Sequence, residues 1–227
     1  MAWIERTAYP RLSGSPSARE LAEVFTPSAD ELAGAQARTT SEHHRLVLLL
    51  ERLTDDQLTR PTPCPAYTLG DLLDHVSGLS QAFTAAATKD IGSATSQRPS
   101  GDASRLGDDW RTRIPKQLAA LADAWRNPNA WEGMTQAGGI DLPAAIAGKI
   151  AFDELVIHGW DVARASQQPF ACDPRALHTS MEFVSMMATE GGGREGLFGP
   201  VVDVPADAPL LDRVIGLSGR NPSWTAA

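Results

Sequence analysis

Apolar residues recur at helical spacing along most of the 227-residue chain, and alternating strand patterns are nearly absent. Residues 1–27 read as irregular, punctuated by Pro10, Gly14, Pro16 and Pro27, with one short helix over 17–25. A first long helix is predicted from Asp30 to Leu58. The prolines of "TRPTPCPAY" stop it. A second helix starts at Thr68, which forms a capping-box pattern with Asp71. Its inward face is Leu72, Val76, Leu79 and Phe83. The polar stretch 89–108 reads as a mobile loop or lid. A third helix is predicted over 109–126, with Pro115 bending or restarting its first turn. "WEGMTQAGGIDLP" reads as a Gly-rich connection to a fourth helix over 143–166. A fifth follows over 174–189, and a last short one over 209–218 ends at Gly219. The fold class is therefore all-α. An up-down four-helix bundle over 28–166 follows an N-terminal extension, 1–27, and carries a C-terminal helical extension, 167–227, packed on the bundle.

Composition narrows the function more than the fold. A formal charge of −8 argues against a nucleic-acid surface, because phosphate contacts need clustered Lys and Arg. No run of about 18 apolar residues is available to span a membrane, and the first residues lack the apolar core of a signal peptide. Two cysteines, Cys64 and Cys172, cannot build a disulfide framework. A reducing, cytoplasmic location fits these features, for a monomer or homodimer. Neither cysteine sits in a recognisably electropositive setting, so both read as structural.

The candidate chemistry lies in "FDELVIHGWDVARAS", residues 152–166. On a helical wheel with Ile150 at zero, Asp161 falls at about 20°, Glu154 at about 40° and His158 at about 80°. Val156 and Trp160 make the far side apolar too, so this helix is buried nearly all round. A buried carboxylate is costly unless it is paired or bound to a cation. Residues four apart project side by side and suit two ligands on one metal. His75, between Leu72 and Leu79 on the second helix, is the candidate third ligand. Two imidazoles and a carboxylate would leave open metal positions. The plainer alternative is a Glu–His pair that only shares a proton, with His75 as a hydrogen-bonded core residue. His43 and His44 are adjacent and cannot share a face, and His178 reads as solvated.

Three ordered blocks carry a family likeness. "LTDDQLTRPTPCPAYTLGDLLDHVSGLSQAF", "AWEGMTQAGGIDLPAAIAGKIAFDELVIHGWDVARASQQP" and "FGPVVDVPADAPLLDRVIGLSGRNPSW" resemble DinB-like, mycothiol-dependent maleylpyruvate isomerase-type metal-binding proteins. The tail resembles an actinobacterial subgroup. The resemblance implies a four-helix fold and one divalent metal on His75, Glu154 and His158. The family often has Trp where this chain has Tyr67. The first 50 or so residues separately resemble the start of large replicative transposases. None of a transposase's catalytic region follows; a gene fusion is the simplest account of the likeness, and chance similarity in a helical lead-in is the alternative.

Zn²⁺ suits this ligand set best, while Ni²⁺, Fe²⁺ and Mn²⁺ accept the same ligand types. The resemblance implies a low-molecular-weight thiol, mycothiol or one like it, held as thiolate and used for S-transfer to, or isomerisation of, a small electrophile. Asp161 is placed to orient His158, and Arg164 to meet an anionic substrate or thiol carboxylate; for both, a surface or helix-end ion pair is the alternative. The reading from another class is a non-catalytic small-molecule-binding module with a structural or vestigial metal.

Overall fold

A computed structural model describes residues 28–188 and 198–226. The helix predicted over 17–25, and the whole N-terminal extension 1–27 with it, lies outside the described residues. Six α-helices are described: α1 (Ala29–Leu50), α2 (Leu69–Thr88), α3 (Trp110–Ala124), α4 (Ala144–Ala165), α5 (Pro174–Ala188) and α6 (Leu210–Leu217). A small antiparallel hairpin, β1 (Met134–Ala137) with β2 (Ile140–Pro143), precedes α4.

Helices α1 to α4 form the bundle, with α1 and α2 each packing on both α3 and α4. Capping boxes start the first two. Ser28 and Glu31 exchange hydrogen bonds at α1, as do Thr68 and Asp71 at α2. Together Leu46, Leu50, Leu72, Val76, Ile114 and Leu118 make a continuous buried core. At one end Trp125 and Trp131 meet edge to face at 5.0 Å, donating to the carbonyls of Phe83 and Trp125. Gly148 of α4 admits them, since a Cβ there would stand 2.6 Å from the Trp131 ring. Helix α5 packs on α4 and α6. No helix among the described residues is long and apolar enough to cross a membrane.

Three expectations need correction. The first helix ends at Leu50 rather than Leu58, because "TDDQ" starts its own 3-10 turn over Asp55–Gln57, capped by Thr54 and Gln57. The connection before α4 is a hairpin. Its two-residue turn, Gly138–Gly139, has φ of 58° and 78°, the conformation that tight hairpins require. Finally, the stretch 89–108 is tied down. Gly101 and Ala103 donate backbone N–H groups to Tyr67 Oη and Asp71 Oδ1, and Arg105 pairs with Asp74 at 2.7 Å. These contacts fix its second half to α2, while most of its polar side chains still face water. Helix α3 runs unbroken through Pro115.

Candidate metal centre and cavity

Helix α4 is buried over nearly its whole length; Lys149, Glu154 and Arg164 are its less buried positions. The wheel arrangement is realised. Glu154 Oε2 lies 2.9 Å from His158 Nε2, and Asp161 Oδ2 lies 3.0 Å from His158 Nδ1. From α2, the His75 ring meets the His158 ring edge to face, with centroids 5.0 Å apart. One ligand atom each from His75, Glu154 and His158 falls within 4.8 Å of the others. The structure thus brings together the three residues that spacing singled out.

Burial opposes a proton on His158. The carboxylates of Asp161 and Glu154 on its two ring nitrogens outweigh that and raise it to about 9. For His75, burial is not offset by the small support of the Glu154 charge and the Pro99 carbonyl. Burial, then the charge of His158, push it down to about 4, and its buried Nδ1 has no hydrogen-bond partner. For Asp161, burial is overcome by Arg220 and then His158, so its carboxyl stays below the usual range. Arg220 reaches Asp161 with Nη2 at 2.9 Å and Nε at 3.2 Å, and its Nη1 donates to the Ser218 carbonyl.

The trio forms part of the wall of a cavity of about 420 Å³. Leu79, Phe83, Ile150 and Ile157 give it an apolar lining. The Pro63–Tyr67 turn, the hairpin tip, and the segments 198–200 and 218–220 complete it. Its size and character are those of a small-molecule site.

Asp161 sits where the wheel placed it, against the far nitrogen of His158. Arg164 is not at the cavity. Its Nη2 donates to the Pro222 carbonyl and its guanidinium lies over Trp160. The guanidinium beside Asp161 is that of Arg220. It lies 59 residues further on, in a tail without helical period, and no spacing signal points to it. Arg98, in the cavity wall, was equally hidden in a polar stretch. Cys64 lines the cavity, and burial pushes its thiol up, so it remains a poor nucleophile. Cys172 packs by Phe152, Val156 and Leu177. His43 and His44 stand on α1, His43 bonded to the Thr40 carbonyl, and His178 is exposed beside the Pro174 carbonyl.

A family profile described as the mycothiol maleylpyruvate isomerase N-terminal domain matches residues 39–163. Uncharacterized proteins from two strains of Mycobacterium tuberculosis are 26% identical over 177 residues, covering 76% of this chain and 90% of theirs. The crystal structure of the mycothiol-dependent maleylpyruvate isomerase superposes with a TM-score of 0.63 at 18% identity, over 86% of this chain and 92% of that one. A mutant of that enzyme gives 0.56 at the same identity, over 86% and 82%. At these identities the superpositions establish the fold.

Proposed function

Because the chain belongs to the family of the mycothiol maleylpyruvate isomerase N-terminal domain, we propose that it is a divalent-metal-dependent enzyme. It uses a low-molecular-weight thiol of the mycothiol type in S-transfer to, or isomerisation of, a small electrophile. One observation carries this reading: two imidazoles and a carboxylate from two helices converge in the wall of a small-molecule cavity. His75, Glu154 and His158 would hold the ion. The donor set fits a zinc site with open positions. His75 fits as well, being neutral with a buried nitrogen that nothing else uses.

A divalent cation there would supply a Lewis-acid position that keeps a bound thiol in its thiolate form near neutral pH. The chain's own residues prepare that position. Asp161 takes the Nδ1–H of His158, which leaves Nε2 turned to Glu154 and the trio. Arg220 keeps Asp161 ionised for that task. The apolar walls limit water around the reacting atoms. No protein nucleophile is needed, in keeping with the raised Cys64 thiol.

Elemental analysis tests the first half. Purified protein is expected to hold about one zinc ion per chain, and His75→Ala, Glu154→Ala and His158→Ala to lose most of it. Equal metal in all four proteins sinks the proposal. For the second half, saturating mycothiol should add an intense sulfur-to-metal charge-transfer band to the Co²⁺-substituted protein. An unchanged spectrum with no thiol-dependent turnover leaves the non-catalytic binding module in its place, and turnover insensitive to chelator overturns the metal-activated thiol.

A further inference from the structure

We propose that the electrophile carries an uncharged, apolar body, a small ring or a short alkyl chain, which lies along the two helices that hold the trio. The inference rests on reading the cavity as the site of a small electrophile, and it names the class of molecule that the site takes.

The cavity wall repeats one spacing twice. On α2, His75, Leu79, Ala82 and Phe83 line it, at i, i+4, i+7 and i+8. On α4, Ile150, Glu154, Ile157 and His158 line it with the same steps. Residues so spaced share one face of a helix. His75 begins the α2 row and meets His158, which ends the α4 row. The hairpin that leads into α4 is tied to the other end of α2, where Thr135 donates to the Ala86 carbonyl. The two rows therefore run in opposite directions, with the ligand-type groups at one end and Phe83 and Ile150 towards the other. Phe83 stands about 12 Å along the helix axis from His75, at 1.5 Å per residue.

The hairpin continues this lining. In β2, Ile140 and Leu142 are two apart and share a face, and both line the cavity. Asp141 between them is exposed and accepts from the Gln136 amide. Alternation thus turns the apolar side chains inwards and keeps the carboxylate out.

Charge is committed elsewhere. Among the described residues lining the cavity, the formally charged side chains are Glu154, Arg98 and Arg220. Arg220 has two nitrogens on Asp161 and the third on the Ser218 carbonyl. Arg98 is exposed and already engaged. Glu154 is itself a carboxylate, which opposes a second anion beside it. An anionic body would give up its water here without gaining a partner, whereas an apolar one gains from leaving water.

The test is a series of primary amides, propanamide to hexanamide, which share an unreactive, uncharged head and lengthen by one methylene each. Binding is followed in ¹H–¹³C methyl spectra of zinc-loaded and of chelator-treated protein. Affinity is expected to rise about fourfold per methylene in both forms, as for burial of a CH₂ group, with shifts at the methyls of Leu79, Ile140, Ile150 and Ile157. The monoamide of adipic acid is hexanamide with its terminal methyl replaced by a carboxylate. It should bind chelator-treated protein at least about tenfold more weakly than hexanamide. Leu79→Ala should weaken hexanamide by about three- to tenfold and leave propanamide unchanged. Affinity independent of chain length, shifts confined to other methyls, or an adipic monoamide bound as tightly as hexanamide overturns the proposal. Hexanamide bound equally by wild type and Leu79→Ala overturns the placement along α2. Zinc and thiol are read separately. Protein that holds no zinc yet shows the chain-length gain keeps this inference and drops the metal-dependent reading. Zinc-loaded protein that takes up mycothiol without that gain keeps the reading and drops the inference.

Discussion

Glu42 and Glu154 are both largely withdrawn from water, and their carboxyl groups respond in opposite directions. Glu42, on α1 beside the connection to α5, is 1% exposed. Burial raises its pKa, and Arg45, whose Nε is 3.1 Å away, together with the Cys172 thiol, does not make up the difference. Its Oε1 is buried without a partner. Glu154 also loses water, yet its pKa is lowered, because the His158 hydrogen bond and charge outweigh burial. The difference lies in convergence. Glu42 has one partly exposed cation from its own helix and, from the chain before α5, only the neutral Cys172 thiol and a backbone N–H. Glu154 meets imidazoles from two helices in the wall of a cavity. A buried carboxylate alone marks a cost; one met by two imidazoles in the wall of a cavity marks a site.

The largest expected effect separates the two directly. Glu154→Gln should lose most of its zinc, whereas Glu42→Gln should retain it all, by elemental analysis. Similar zinc in both variants would erase the contrast. Next in size, Arg220→Met strands Asp161 and should lower unfolding stability by about 3–5 kcal/mol in urea titrations. Adding Asp161→Leu should recover much of that loss, since replacing both members of a buried pair by apolar groups is often near neutral. A loss no greater for the single variant than for the double would mean that the pair is not what holds the tail.

A pH series sharpens the other side. The raised carboxyl of Glu42 means that the folded state keeps a proton the unfolded chain has released. That part of the stability is full below the unfolded value of about 4.3, declines as pH rises through the folded pKa, and then levels off. Glu42→Gln should remove this decline, read from urea midpoints between about pH 4.5 and 8. Parallel curves for variant and wild type would show that Glu42 is not the group responsible. The smallest effect belongs to the α2 cap. Thr68→Ala should cost about 1 kcal/mol and leave zinc content unchanged. The Asp71 carboxyl, lowered chiefly by its bond to Thr68, gives stability that is present above its unfolded pKa and lost as pH falls through its folded one.

Legibility in the sequence followed the range of the interactions. Helix α4 was expected over 143–166 and spans Ala144–Ala165, because nearly every position in it is apolar or small. Glu154, His158 and Asp161 share one face of that helix, so local spacing sufficed. His75 could be placed because α2 has a clean inward stripe. The hairpin escaped notice. Its strands are four residues each, contain Gln, Ala and Asp, and gain their order from Thr135 donating to the Ala86 carbonyl and from Thr95. The end of α1 was missed because "ERLTDDQL" contains no proline or glycine. Arg164 was expected to meet an anionic ligand and instead binds the Pro222 carbonyl, and Arg220 was not foreseen, because helical spacing sees one turn ahead and cannot see a chain that returns.

The Asp161–Arg220 pair also has a meaning in time. On a ribosome adding about 5–20 residues per second, the 59 residues between them take about 3–12 s to appear. Throughout that interval all four bundle helices already exist as chain, and Asp161 has only His158 to answer its charge. Until Arg220 is made, the Asp161 carboxylate on α4 lacks the guanidinium that it meets in the finished fold. Synthesis itself sets the order, helices first and the closing wall of the cavity last.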